Sequence, residues 1–398
     1  MNDIRIELAA KQHCTGCAAC ADVCPKGCIT MQYNDSLHSY PVIEDSACIA
    51  CGKCMKVCPA LNKETATPIF PQHYYMAWHQ NDDERMSSTS GGAGAALVSD
   101  ALKKGWYVCG AVLDGDYHLS HVVTNDSNQT LKMKGSKYFQ SSTTGTFSQI
   151  RELALQGHHV LFIGTPCQVA GLLRGLPEKL KQNVLTCGII CHGVNSPLVW
   201  KDYKEWLERE NKSQLTEYHF RSKSHGWQKR DGGFNLRVAY HFCNGKTVDI
   251  PSWKNLFHTW FGHHYILRPS CFTCEYRKEQ RNSDITIGDF WNVQIVNSKA
   301  DTFKGVSAVI TSTERGDEFV HSCEGLYIEQ VDGTITSKVL KGYIENRTPE
   351  QQRSEIEKEL SFEKEYLSKG FELMRKAYPA QTTVTRLIYA LKYKLGLK

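Results

Sequence analysis

Three things are missing from this 398-residue sequence, and each absence narrows what it can be. The N-terminus, MNDIRIELAAK, lacks a basic start followed by an apolar core, so no secretory signal is read there. No uninterrupted apolar run approaches the ~20 residues that a bilayer-spanning helix needs. A basic face for nucleic acid is absent as well. The formal charge is +5, but Lys369, Arg375, Lys376, Arg386, Lys392, Lys394 and Lys398 crowd the end of the chain against Glu372 alone. The rest is close to neutral, so nucleic acid is excluded as a partner of the body. Without a signal, the 17 cysteines do not read as a secreted disulfide scaffold. A reducing, cytoplasmic setting is expected, where free thiols and exposed clusters persist. The length allows two or three domains, each with a sizeable core.

What is present is cysteine in a doubled spacing. Cys14-x-x-Cys17-x-x-Cys20-x-x-x-Cys24-Pro25 is followed by Cys48-x-x-Cys51-x-x-Cys54-x-x-x-Cys58-Pro59. Thiolate is a soft ligand suited to iron, and a C-x-x-C-x-x-C turn aims three sulfurs at one cubic cluster. The fourth cysteine, with proline behind it, lies too far along the chain to close the same cube. In proteins with this doubled spacing it reaches across to the other cluster. The expected sets are therefore crossed: Cys14, Cys17, Cys20 and Cys58 in one, and Cys48, Cys51, Cys54 and Cys24 in the other. Residues 8–62 resemble the bacterial two-cluster ferredoxin, which implies two [4Fe-4S] clusters and a role in moving electrons. Zinc knuckles and disulfides compete poorly with two complete copies of the motif. Between the copies, residues 29–33 and 40–43 read as short strands around a turn at 34–36. Cys28 fits neither motif and reads as a small buried residue.

After a polar, proline-containing linker at 62–71, apolar strands alternate with helical patterns. Strands are expected at 74–79, 106–113, 160–163 and 184–190, with helices at 95–104, 147–156, after Cys167, and at 197–209. This alternation predicts an α/β layer with a partly parallel sheet. Beyond about residue 215 the pattern turns toward β, clearest at 236–243 and 306–312. The last fifty residues are helical and charged, with a polar helix at 355–365. A second helix at 384–395 puts Val384, Leu387, Ile388, Leu391 and Leu395 on one face. That face suits either docking on the protein's own body or peripheral contact with an anionic membrane.

Four more cysteines stand in short, unusual contexts: Gly164-Thr165-Pro166-Cys167-Gln168, Cys191-His192-Gly193, and Pro269-Ser270-Cys271-Phe272-Thr273-Cys274. Cys167 and Cys191 each follow an apolar β-rich run, where α/β sheets gather ligands. Together they could hold a third cluster. Spacing alone leaves core cysteines, a zinc pair or a redox pair open. Ser90-Gly91-Gly92-Ala93-Gly94 precedes a helix and could cradle a phosphate with free N–H groups. It is not the dinucleotide pattern G-x-G-x-x-G, and a tight loop with a helix cap would look the same.

At these residues the chain resembles the β subunit of coenzyme F-420 (8-hydroxy-5-deazaflavin) hydrogenases and dehydrogenases, whose relatives include plant hydroxymethyl-chlorophyll reductase. The resemblance rests on Thr89-Ser90-Gly91-Gly92, Lys134-Gly135-Ser136-Lys137-Tyr138, Gly164-Thr165-Pro166-Cys167-Gln168 and Cys191-His192-Gly193. It continues with Arg268-Pro269-Ser270-Cys271 through Cys274, Asn282-Ser283-Asp284-Ile285 and Gly288-Asp289-Phe290. It implies FAD beside a third [4Fe-4S] cluster held by Cys167, Cys191, Cys271 and Cys274. Cys109, Cys187, Cys243 and Cys323 lie outside the motifs and are expected in the core. For the flavin, the N–H groups of Gly91, Gly92 and Gly94 would meet pyrophosphate. Ser90, Ser136, Lys137 and Thr165 would add hydrogen bonds or charge, Lys137 otherwise being an exposed lysine on a strand edge. His192, which can titrate near neutrality, and Asp289 are the candidate catalytic residues. His192 would otherwise orient the cluster loop, and Asp289 would otherwise cap the turn before Phe290.

The resemblance does not fix the substrate, because members with a fused ferredoxin also occur in bacteria that lack the deazaflavin, some in surface-polysaccharide gene clusters. The expected fold class is α+β / α/β. Residues 1–62 form the ferredoxin unit (repeats at about 5–34 and 39–68), 74–180 and 181–345 the two parts of the flavin-binding body, and 346–398 a basic helical tail. The expected function is an iron–sulfur flavoprotein oxidoreductase. It would exchange electrons with a soluble ferredoxin or other redox partner, and with a small organic substrate or deazaflavin. The alternative is a non-catalytic electron-transfer subunit of a larger complex.

Overall fold

Strands β1 (Ile29–Gln32) and β2 (Tyr40–Ile43) form an antiparallel ribbon, with Ile29 opposite Ile43 and Gln32 opposite Tyr40. The computed structural model describes residues 6–62, 70–228, 234–334, 336, 340 and 348–385. The two sequence repeats are also repeats of backbone conformation. Gly16 and Ala50 take φ of +66° and +51°, and Ala18 and Gly52 take +57° and +70°. Each pair occupies one position of the two cysteine loops. A left-handed residue on either side of the second cysteine curls the loop so that its sulfurs face inward. Alanine there costs roughly 1–2 kcal/mol. Gly52 and Ala18 then start the short helices Lys53–Val57 and Ala19–Asp22.

The body is built on an eight-stranded sheet in the order β13-β3-β12-β11-β7-β6-β4-β5. Its strands are β3 (His73–His79), β4 (Tyr107–Leu113), β5 (Leu119–Thr124), β6 (Val160–Gly164), β7 (Val184–Ile189), β11 (Ile285–Asp289), β12 (Ser307–Thr311) and β13 (Leu326–Gln330). The central run β11-β7-β6-β4 is parallel, and the strands on both sides of it are antiparallel. The expected partly parallel sheet is thus present, and strands from residues 74–180 and from 181–345 share it. Val160, Leu161 and Phe162 have no exposed surface, as central parallel strands covered on both faces require. On one face, Leu97 and Ala101 of the Ala93–Lys103 helix pack with Val108, Leu161 and Ile285. On the other, Phe147, Val169 and Leu172 pack with Phe162 and Val184. Cys17, Ala19 and Val57 join this second core, so the ferredoxin loops are part of the body's packing.

A smaller antiparallel sheet, β10-β9-β8, comprises β8 (Leu215–Ser222), β9 (Arg237–Phe242) and β10 (Thr247–Pro251). It lies with the Pro197–Asn211 and Leu256–Gly262 helices in an aromatic core of Trp200, Tyr203, Phe220, Phe257 and Trp260. Phe362, Tyr366, Phe371 and Met374 from the C-terminal helices Pro349–Lys369 and Phe371–Ala377 complete it. Full burial of such side chains is worth about 1.5–3 kcal/mol each. The expected polar helix therefore runs longer than 355–365 and carries one apolar stripe. Thr348 and Gln351 close its start as a capping box, with Pro349 in the first turn. Its Glu363 accepts from Ser36 Oγ and Leu37 N, both at 2.7 Å, and pins the ribbon turn of the ferredoxin unit.

Cys109, Cys187 and Cys323 are buried as expected, but Cys243 is exposed. It follows β9 in the turn to β10, where the chain reverses at the surface instead of continuing into the core. Residues 63–69 of the expected linker at 62–71 and residues 386–395 of the expected helix at 384–395 fall outside the described residues.

Glu359 is fully buried on the Pro349–Lys369 helix, and neither carboxylate oxygen has a hydrogen-bond partner among the described residues. Burial, with Glu363 adding repulsion, pushes its carboxyl from 4.5 up to about 9. The native chain then holds a proton that the unfolded chain has released across that interval, so stability falls as pH rises from about 4.5 to 9. Glu359→Gln is expected to raise the melting temperature, and by more at pH 8.5 than at pH 6. An equal shift at both pH values, or none, would mean that the group does not titrate in this way.

Candidate redox site

The ferredoxin thiols fall into two groups. Cys20 is pushed up by burial and then by Cys17, Cys14 and Cys58, so these four lie within electrostatic reach of one another. Cys58, likewise raised by burial, feels Cys14. Cys54 is raised by burial and then by Cys51 and Cys24. One small cavity is lined by Cys24, Cys48, Cys51 and Cys54. The groups are the crossed ones, because the short helix after each loop turns the fourth cysteine toward the other repeat. Cys28 is buried as expected, yet its Sγ is 3.4 Å from Cys24 Sγ, and it lines the same cavity.

A third group forms at the C-terminal ends of the parallel strands. β6 ends at Gly164, and Thr165 caps the Pro166–Gly175 helix, with Gln168 Oε1 accepting from Thr165 N at 2.9 Å. This cap puts Cys167 in the first helical turn, with its Sγ 3.2 Å from Thr165 Oγ1. Cys191 comes two residues after the end of β7. Cys271 closes a 3-10 turn, its N–H donating to Arg268 O at 2.9 Å. Burial first, and then Cys271, Cys167 and Cys274, hold the Cys191 thiol well above its ordinary range. Cys167 is pushed up to about 12 by burial and by Cys274. The sheet thus brings together four thiols spread over more than a hundred residues. Burial raises Cys167, Cys191 and Cys274 alike, so taking up a soft cation there would release protons.

The remaining motif residues brace this edge. Asn282 Nδ2 donates to Pro166 O at 2.9 Å. Asp284 Oδ2 accepts from Thr186 N at 2.8 Å and Thr186 Oγ1 at 2.7 Å, and Arg315 closes on both of its oxygens at 2.7 Å. Cys17 is the member of the first group that faces the third. Burial raises it to about 12 and Cys167 adds to this. A Cβ on Gly171 of the Pro166–Gly175 helix would fall 2.8 Å from Cys17 Sγ.

The residues expected to meet a flavin are mostly engaged by protein. A Cβ on Gly91 would lie 2.5 Å from Ala77 O and 2.6 Å from Ser307 N, so Gly91 lets the loop press on β3 and β12. Gly92 has φ of +87° and caps the Ala93–Lys103 helix; Gly94 follows in its first turn, packed near Ile287. Ser90 Oγ donates to Val306 O at 2.7 Å, and Ser136 N donates to Thr89 Oγ1 at 2.8 Å. Lys137 is neither on an open strand edge nor free to reach a phosphate. Its Nζ donates to the carbonyls of Ala111, Lys132, Met133 and Lys134 at 2.8–3.0 Å.

Asp289, at the end of β11, accepts from Arg221 Nη1 at 3.1 Å and from Trp227 Nε1 at 2.8 Å. Burial alone would lower Arg221, but Asp289 and Tyr138 outweigh it and raise it. Trp227 stacks on Trp291 at 4.2 Å, and Arg221 sits 5.1 Å from the Trp291 ring. His192 contacts His264 through their Nε2 atoms at 2.7 Å, and His264 Nδ1 is 2.9 Å from Glu355. Sequence reasoning missed Arg221, Arg268 and His264. Arg268 alone had a signal, standing directly before Pro269 in the cysteine motif.

Residues 157–333 match the family described as the C terminus of the coenzyme F420 hydrogenase/dehydrogenase β subunit, and residues 13–62 match the 4Fe-4S dicluster domain. The chain thus carries a stretch similar to these β subunits behind a dicluster ferredoxin domain. The coenzyme F420-dependent sulfite reductase of Methanocaldococcus jannaschii is 26% identical over 182 residues, 45% of this chain and 28% of that protein. One of the subunits of the F(420)H(2) dehydrogenase of Methanosarcina mazei is 23% identical over 197 residues, 46% of this chain and 55% of that protein. One of the subunits of the NADH-quinone oxidoreductase of Pelobacter propionicus is 39% identical over 71 residues, 15% of this chain and 38% of that protein. The chain thus spans less than two thirds of the length of the curated relatives it matches. A solved chain of the F420-reducing [NiFe] hydrogenase complex from Methanosarcina barkeri aligns with TM-score 0.47 and 16% identity, over 75% of this chain and 96% of that one.

Cys28 beside Cys24 gives a direct check on the crossed groups. Cys28→Ala should leave the iron content of anaerobically isolated protein unchanged, whereas Cys24→Ala should lower it by up to about four atoms, one cubic cluster's worth. Iron loss from Cys28→Ala would make Cys28 a ligand.

Proposed function

We propose that the chain is an iron–sulfur flavoprotein oxidoreductase. Single electrons would travel between the two ferredoxin clusters, a third cluster at Cys167, Cys191, Cys271 and Cys274, and FAD. The supporting observation is the grouping of twelve cysteines into three sets of four, with the first set against the third. Iron–sulfur clusters pass one electron at a time, and a flavin supplies the link to two-electron chemistry on an organic substrate. The family resemblance and the N-terminus of the Ala93–Lys103 helix support FAD. The N–H groups of Gly94 and Ala95 precede the first intrahelical bond, Ala96 N to Gly92 O, and suit a phosphate.

On this reading the chain's own groups divide the work. The thiolates hold the clusters, and Thr165 orients Cys167. Asp289 fixes Arg221 and Trp227 at the sheet edge. His192 and His264 are hydrogen-bonded, and the Glu355 carboxylate 2.9 Å from His264 Nδ1 would favour a charged His264, a pair able to hand a proton toward the site. The substrate class is a small organic molecule or deazaflavin. A second reading is favoured by the relatives named as subunits, namely that the chain hands electrons to a larger partner.

Anaerobically purified protein is expected to carry about twelve iron atoms and one flavin, following three four-iron clusters. Cys271→Ser should remove about four irons and one paramagnetic signal while leaving the ferredoxin signals. Colourless protein, or three persisting signals in the variant, would overturn the assignment. Dithionite-reduced protein turning over a deazaflavin unaided would favour the first reading, and inertness without partners the second.

A further inference from the structure

Arg268 is completely buried, and no carboxylate pairs with it among the described residues. Its guanidinium is spent on the ferredoxin unit. Nε donates to Cys14 O at 2.7 Å, and Nη2 donates to Ser39 O at 2.8 Å and lies 3.7 Å from Cys14 Sγ. Nη1 donates to Gln140 Oε1 at 2.8 Å, and Gln140 in turn donates to Thr15 O and Gly16 O. The Tyr40 ring lies 4.5 Å from the guanidinium carbon. Gly16 has no room for a side chain, since its Cβ would fall 2.6 Å from Nη1. The same residue anchors the body's cysteines. Its carbonyl accepts from Cys271 N, and its charge acts on Cys167.

A buried cation without an anion is costly, and native proteins pair it. The ionisable group its N–H groups contact among the described residues is the Cys14 thiol, and a four-thiolate cluster carries net negative charge that grows on reduction. We propose that Arg268 is a positioning residue for electron transfer. Its guanidinium serves as counter-ion to the first ferredoxin cluster, raises that cluster's reduction potential, and fixes it against the body's cysteine set. This rests on the reading that clusters occupy both sets. Charge and an N–H directed at a ligand sulfur both favour the reduced, more negative state. Only the first set touches this guanidinium. The Cys24, Cys48, Cys51 and Cys54 set is the internal reference.

The test uses the full chain, isolated anaerobically, with each cluster's midpoint read by paramagnetic resonance during titration with dithionite. Arg268→Met should lower the first cluster's midpoint relative to the second cluster's by at least a tenfold change in the reduced-to-oxidised ratio, about 59 mV for one electron. Arg268→Lys should lower it less. Where Arg268→Met fails to fold, Gln140→Glu puts a carboxylate against Nη1 and should lower the same midpoint without removing the arginine. Unchanged relative midpoints with full iron content would overturn the proposal and leave Arg268 a packing residue. An iron count near eight in the unmutated protein would sink the third cluster. The comparison between the first two clusters would still decide the role of Arg268.

Discussion

Cys17 against the Pro166–Gly175 helix is the contact that the rest of the structure serves. It requires a left-handed turn before Cys17, a glycine at position 171, and a helix whose first turn carries Cys167. None of these can shift alone. A side chain at Gly171 would strike the sulfur, and a longer loop would break the pairing of β6 with β7 that places Cys167. The ferredoxin unit is for this reason joined to the body's core instead of being tethered to it. Cys17, Ala19 and Val57 share a core with Phe147 and Leu172. Asp22 adds a polar tie, accepting from Gly145 N and Phe147 N at the start of the next helix.

A second tie comes from the far end of the chain. The Pro349–Lys369 helix buries Phe362 and Tyr366 in the aromatic core and holds the ribbon turn through Glu363. Residues more than three hundred positions apart thus lock the same unit. Such a contact costs loop-closure entropy once but resists local opening of the ferredoxin afterwards.

The ferredoxin cysteine loops were legible because their geometry is local, each C-x-x-C-x-x-C run spanning seven residues. The sheet was legible in outline because buried parallel strands show as short apolar runs. The third group was named through the family resemblance and left open by spacing alone, because its convergence depends on the strand order β11-β7-β6-β4, which no spacing encodes. Lys137 shows the limit of motif reading. A lysine in a family motif suggests a ligand, but here the ammonium closes a loop by collecting four carbonyls. Gly91 makes the same point, since a glycine that could expose its N–H to phosphate is also one that lets two strands approach. Cys243 was misplaced because lying outside the motifs was read as lying in the core, whereas it sits where the chain turns after β9.

Exposure gives the three groups a direction. Cys51 is exposed, and Cys24 and Cys48 are half-buried, whereas Cys14 and Cys17 are buried against the body. On the proposed reading, the second cluster is the one that an outside redox partner can approach, and the first is the one that meets the interior. Crossing the fourth cysteines serves this layout. Cys58 belongs to the buried group but follows the exposed loop, so the chain itself bridges surface and interior. A buried cation at the inner cluster would make electrons settle there before entering the body. Potential as well as distance would then set the route, and Arg268 sits where those two requirements meet.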